Sequence, residues 1–400
     1  MNYEFTIFII AAIVLVYGYF SQLLQRFNIS GPMVFLLFGI LFSPLGFDLI
    51  TLGLEDKAVK IIAELALIVV LFTDSSTINF KSLKKNYKIP LRLLSIGLPL
   101  TIVLSTYVGV LFFPDAPFLY IIVMALILAP TDAALGKAVV VDKDVPKQIR
   151  EGINIESGLN DGIVFPLLIT LLFLITSHES LSHDGSWIEY LFEQILYGGI
   201  IGAMSGFATA KGLNHAISKS WMQKSYENLT PLSLAILTYF IAEHFGGNGF
   251  IAVFIGGLFF GNFSNYLTKG KESFLESEGE VLILISFLVF GLTFIPLTYV
   301  FWTPTVFLYS VLSLTFLRMF PVFLSLIGSG LTLKSKLFIG WFGPRGIASI
   351  LYVMTVAEHV SADKIDNELF GVISLTILLS ITLHGLSAKP LVKSYGKDLA

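Results

Sequence analysis

The residues best suited to chemistry are oxygen donors in two short runs, Pro130-Thr131-Asp132 and Glu156-Ser157-Gly158-Leu159-Asn160-Asp161. At about 100° per helical residue, Ser157 and Asp161 share one face, and Glu156 and Asn160 share a neighbouring one. Glu156 and Asp161 diverge by roughly 140°, so the two carboxylates meet different partners. Carboxylate, hydroxyl and carbonyl oxygens are the ligands of a hard cation. Asp161, Ser157 and Thr131 are therefore expected to hold Na+, with Asp132 helping directly or through water. The chain has no cysteine and no histidine pair beside these acids, so neither thiolate nor zinc chemistry is expected, nor any cofactor. A carboxylate that takes either a proton or a cation, but not both, exchanges them one for one. Burial disfavours its charged form, so protons compete and cation binding weakens as pH falls.

Such a site must sit where water is scarce, and the composition points to lipid. Of 400 residues, 55% are hydrophobic and 13% charged, about half the charge of a soluble domain of ordinary composition. Mean hydropathy is +0.82. That much apolar surface cannot be hidden in one water-soluble core. A net charge of −3 and the lack of a basic stripe exclude a nucleic-acid partner. Residues Met1–Glu4 carry no positive n-region, so the first apolar run is expected to be a retained span.

Thirteen apolar stretches are long enough to cross a bilayer as helices, at approximately 5–26, 31–50, 58–76, 89–113, 117–141, 149–176, 187–211, 228–245, 247–263, 279–300, 303–328, 334–358 and 367–389. The expected fold class is therefore an all-α membrane protein. Alternate loops hold nearly all the basic residues, among them Lys81, Lys84, Lys85, Lys143, Lys147, Lys219, Lys224, Lys334 and Lys393. The opposite loops hold only Lys57, Lys60 and Lys364. The positive-inside rule then places the N-terminus outside and the C-terminus in the cytoplasm of the inner membrane.

Two spans are interrupted. Pro130 lacks a donor and clashes with the preceding turn, and Thr131 and Asp132 are good N-caps for a second half-helix, Ala133 to Val141. Span twelve carries Gly343-Pro344-Arg345-Gly346 at its middle. Interrupted spans at matching places in two halves predict inverted repeats, with two crossed broken helices around a midplane site. Broken helices leave free N–H groups at one end and free carbonyls at the other. Asp132 is placed to offset a positive end, and Arg345 the carbonyl end of its own helix or the facing one. Intramembrane charge is costly and usually functional. Glu156 pairs with Arg318, or else Arg345 takes Glu156 and Arg318 faces water. Asp74 is a further cation ligand or a cap beside Thr73, Ser75 and Ser76. Glu64 reads as a satisfied or funnel-lining acid, and His384 as structural.

The runs LAPTDAALGKAVV, IESGLNDGIVFPLL, LRMFPV and GPRGIAS, in this order, resemble those of the NhaP-type bacterial and archaeal sodium/proton antiporters. These belong to the monovalent cation:proton antiporters, with the animal sodium/proton exchangers. The resemblance covers essentially the whole chain. It implies a homodimer in the bilayer, with a moving core of helices at approximately 58–176 and 279–389 and dimerisation helices at approximately 1–50 and 187–263. It implies that Asp161 carries the ion or proton, that Thr131, Ser157 and Asp132 line the site, and that Glu156 pairs with Arg318. Asn160 would stand where electrogenic relatives have a second aspartate, implying electroneutral exchange. Asp74 falls where some members have a glutamate ligand, though its side chain is shorter. Potassium/proton antiport is the alternative, and a sodium-coupled organic-anion symporter a more distant one. A membrane enzyme is not expected: there is no HExxH, no pair of Gly-Asp motifs on two spans, and no histidine base on the helix of Ser157.

Overall fold

In lipid every backbone N–H and C=O needs an internal partner, so long apolar runs become helices. The computed structural model describes residues 3–53, 56–132, 135, 139, 142, 144–177, 186–265, 272–359 and 367–397. All regular structure among them is helical. In chain order the helices are α1 (Tyr3–Arg26), α2 (Gly31–Phe42), α3 (Lys57–Thr77), the short α4 (Phe80–Asn86), α5 (Lys88–Phe112, with a π turn at Leu93–Gly97) and α6 (Phe118–Leu128). They continue with α7 (Lys147–Ser177), α8 (Ser186–Ser218), α9 (Lys224–His244), α10 (Gly249–Phe263) and α11 (Glu272–Thr298). The last are α12 (Pro304–Ser325), α13 (Leu333–Trp341), α14 (Ile347–His359) and α15 (Asn367–Lys397).

Among the described residues, six helices are long and apolar enough to cross a membrane: α1, α5, α7, α11, α12 and α15. α2, α6, α10 and α14 are apolar but shorter, and two of these are halves of interrupted spans. Several expected ends move for local reasons. α2 stops at Phe42 rather than near residue 50, because Ser43 precedes Pro44 and that position disfavours helix. Ser43 is extended and its hydroxyl donates to the Ile40 carbonyl at 2.7 Å. α6 ends at Leu128, two residues before Pro130. The expected span 334–358 divides into α13 and α14, with residues 342–346 non-helical between them. The half-helix expected over Ala133–Val141 lies largely outside the described residues.

The chain packs as two compact units. The first comprises Met1–Ala63, Asn86–Asn160 and Ile283–Ala400, and the second Glu64–Lys85 and Asp161–Leu282. In the first, a core of Ile89, Leu93, Ile149, Ile153, Val322 and Phe338 joins α5, α7, α12 and α13. α2 meets α11 at Gly39 and Gly291, so closely that a Cβ on Gly39 would lie 2.3 Å from the Leu288 carbonyl oxygen.

The second unit relies on the same device. Gly198, Gly202 and Gly206 form a small-residue stripe along α8, and α10 lies directly on it. A Cβ added at Gly202 or Gly206 would meet the carbonyl oxygens of Ala252 and Gly256 at 2.3 and 2.2 Å. The end of α3 seats on α10 in the same way, at Gly257 and Gly261. Asn262 secures the turn that follows, donating to the Ile78 carbonyl and accepting from the Phe80 N–H, each at 2.8 Å. Lipid removes the hydrophobic drive between helices, so association rests on close packing of this kind. Gly206→Ala is therefore expected to destabilise the protein by about 1–3 kcal/mol or more. Gly199→Ala, where nothing lies within 4 Å, should be neutral or slightly stabilising. Thermal unfolding of the two purified variants against wild type makes the comparison.

Candidate functional site

The two interruptions meet in the first unit. After α6 the chain is non-helical through Pro130, Thr131 and Asp132, and the Asp132 N–H donates to the Pro344 carbonyl at 2.8 Å. The Asp132 carboxylate then accepts two backbone N–H groups. Its Oδ2 accepts the N–H of Ile347, first residue of α14, at 2.8 Å, and its Oδ1 accepts the Leu135 N–H at 3.4 Å. Sequence alone placed this acid at its own second half-helix, whereas the shorter bond goes to the facing one. A negative group at a helix N-terminus satisfies free donors and opposes the positive dipole end. The Ser349 hydroxyl fastens the two interruptions again, donating to the Ile127 carbonyl at 2.7 Å.

Arg345 is buried and lies at the carbonyl side of the second interruption. Its Nη1 donates to the Gly343 carbonyl at 2.6 Å, a bond within the interruption itself. On α12, Arg318 Nη2 lies 2.6 Å from Glu156 Oε1, and both side chains are almost fully excluded from solvent. The glycines of the Gly-Pro-Arg-Gly run make room for these groups. A Cβ on Gly343 would sit 2.6 Å from Arg318 Nε, and one on Gly346 would sit 2.0 Å from Asp132 Oδ2. Sequence reasoning took these glycines only as helix breakers. Their second role, accommodating a guanidinium and a carboxylate, has no sequence signature.

Thr131 is held from α7. Ser157 Oγ donates to the Thr131 carbonyl at 2.5 Å, and Asn160 Nδ2 donates to Thr131 Oγ1 at 2.8 Å. All three residues are buried. The Ser157 hydroxyl, being the donor, keeps its lone pairs, and the Thr131 carbonyl keeps a second one. Asn160 Oδ1 is buried without a hydrogen-bond partner among the described residues. Oxygen donors are therefore gathered on unwound backbone and on one turn of α7. Asp161, 3% exposed, is the next residue of that helix and the first of the second unit. Its successor Gly162 leaves no space for a side chain, since a Cβ there would lie 2.3 Å from the Phe254 ring of α10. Asp74 is half-buried in the last turn of α3, and its backbone carbonyl accepts from the Thr77 hydroxyl at 2.8 Å.

Removing one member of a buried ion pair strands the other charge, at a cost of about 3–5 kcal/mol. Glu156→Leu and Arg318→Leu should each lower stability by that order. The double variant should lose clearly less than the sum, because no charge is left behind. Thermal or denaturant unfolding of the two single variants and the double measures the coupling.

Comparison with known proteins agrees with this architecture. Residues 9–394 match the family described as "Sodium/hydrogen exchanger, transmembrane". A Na(+)/H(+) antiporter of Schizosaccharomyces pombe is 26% identical over 314 residues, covering 70% of this chain and 66% of that protein. The K(+)/H(+) antiporter NhaP of Alkalimonas amylolytica is 23% identical over 393 residues, covering 97% of this chain and 66% of that protein. The chain thus spans just under two thirds of the length of these relatives. Among solved structures, the sodium proton antiporter MjNhaP1 of Methanocaldococcus jannaschii superposes with a TM-score of 0.78 at 21% identity, covering 99% of this chain and all of that one. That likeness shows the fold. Nearly the whole chain lies within the match, and the protein is an integral membrane member of the sodium/hydrogen exchanger family.

Proposed function

We propose that the chain is a monovalent cation/proton antiporter that exchanges sodium or lithium for protons without net charge transfer, with Asp161 binding cation and proton in turn. The observation that carries this reading is the grip of Ser157 and Asn160 on Thr131 at a buried helix break, one turn or less from Asp161 along α7. It gathers hydroxyl, carbonyl and amide oxygens beside an acid that lipid would otherwise penalise, which suits a small hard cation. Asp132 supports the site as the cap of α14. Asn160 contributes an uncharged amide where a second acid would add a titrating group. The cation is cargo, and the cycle needs no cofactor.

Alternating access would move the helices of residues 58–176 and 279–389 against those of 1–50 and 187–263, within a homodimer of the cytoplasmic membrane, N-terminus outside. Asp74 would add a ligand toward one entrance. Potassium is the second reading, favoured because relatives from Alkalimonas amylolytica and Shewanella carry the name K(+)/H(+) antiporter.

The test uses everted vesicles with a pre-formed pH gradient. Added sodium or lithium should dissipate the gradient at the same rate with the membrane potential clamped or free. Asp161→Asn should abolish exchange, and Asp161→Glu should retain part of it. The apparent KM for sodium should rise by up to about tenfold per pH unit in the acid range, because protons compete for one ligand. Exchange by Asp161→Asn at the wild-type rate would overturn the assignment. Dissipation by potassium alone would move the conclusion to the second reading.

A further inference from the structure

α15 presents Ser380, His384 and Ser387 at spacings of four and three, which share one helix face. All three reach the interruption between α13 and α14, from its two sides. Trp341 ends α13, and its carbonyl accepts the Gly343 N–H at 2.8 Å. His384 Nε2 lies 2.9 Å from that carbonyl oxygen. The Trp341 indole N–H donates to Ser387 Oγ at 3.0 Å, and the indole lies against the imidazole with ring centroids 4.9 Å apart. Across the interruption, the Arg345 N–H donates to Ser380 Oγ at 2.6 Å, and Ser380 Oγ lies 3.2 Å from His384 Nδ1.

The Trp341 carbonyl only accepts, so Nε2 carries a proton. Ser380 Oγ accepts from Arg345, and Nδ1 faces both that hydroxyl at 3.2 Å and the Ser380 carbonyl at 3.0 Å. The connected path runs from the Arg345 N–H through Ser380 Oγ and the His384 ring to the Trp341 carbonyl. His384 is 1% exposed and Ser380 fully buried, so water does not replace either partner.

We propose that Ser380 and His384 are positioning residues that set the separation of the two half-helix ends, and so hold the Pro344 carbonyl and the Ile347 N–H against Asp132. They touch neither cation nor proton. Their effect on transport rests on the antiport reading above, whereas their effect on the interruption does not. The capping atom is Nε2, which the side-chain amide of Gln reaches and that of Asn does not.

The experiment pairs hydrogen–deuterium exchange of the purified full-length protein with sodium-driven proton flux in proteoliposomes. His384→Gln should keep wild-type deuterium uptake across residues 341–350 and the wild-type pH profile. His384→Asn, His384→Ala and Ser380→Ala should speed uptake there by roughly five- to tenfold, the scale of one buried hydrogen bond. They should raise the KM for sodium by a similar factor and leave maximal rate nearly unchanged. If the Ala variants are not recovered folded, the comparison of Gln with Asn carries the test. The proposal is overturned if Asn leaves uptake unchanged, if Gln behaves as Asn does, or if Gln removes the acid limb of the pH profile, which would make His384 a titrating sensor. If the wild type shows no sodium-driven flux, the antiport reading fails while deuterium uptake still decides the positioning role.

Discussion

Unsatisfied backbone polar groups in a medium without water are the constraint on which the centre of this protein depends. α6 stops at Leu128, and α13 stops at Trp341 before α14 restarts at Ile347, so these ends leave carbonyls and N–H groups that lipid cannot solvate. The polar residues described at the interruptions answer that problem one by one. Asp132 takes the N–H of Ile347, Arg345 takes the carbonyl of Gly343, His384 shares that of Trp341 with the Gly343 N–H, and Ser157 takes that of Thr131. The two interruptions also satisfy each other directly, through the Asp132 N–H and the Pro344 carbonyl. Unwound backbone persists here because side chains from α7 and α15 stand in for the missing helical turns.

The same economy explains why the charges are buried in a group. A lone Arg318 or Glu156 at this depth would be expensive, and together they approach break-even only with close geometry. The 2.6 Å pair on α12 and α7 meets that condition, and it ties the helix that carries Ser157 and Asn160 to one of its neighbours. Gly343 is part of the same arrangement, because any side chain there would displace the guanidinium. Electrostatics and glycine placement are thus one requirement.

Much of this was legible in sequence, for a definite reason. Charged residues and prolines are rare within apolar runs, so Pro130, Asp132, Glu156, Asp161, Arg318 and Pro344 stood out against their background. Their partners were less legible, because spacing along one helix says nothing about what faces it. Arg345 had two candidate carbonyl ends, and Asp132 had its own half-helix as the nearer candidate. Ser380 and His384 gave the weakest signal, since an i, i+4 polar pair near a helix end is usually solvated. Helix ends were displaced where a local rule outweighed hydropathy, as at Ser43 before Pro44.

Burial of the proposed site also bears on how two fluxes would be kept in step. With a cation bound, the Asp161 carboxylate and its cargo sum to no net charge, and with a proton bound the acid is neutral. The empty carboxylate alone carries charge, at an intramembrane cost of about 2.5–3.5 kcal/mol. That cost would depopulate the empty carrier in any arrangement that must cross between the two faces by roughly a hundredfold. Coupling would then need no separate gate, because burial penalises the one state that would leak. An uncharged Asn160 preserves this balance, since a second ionised acid in its place would leave the cation-loaded site with net charge.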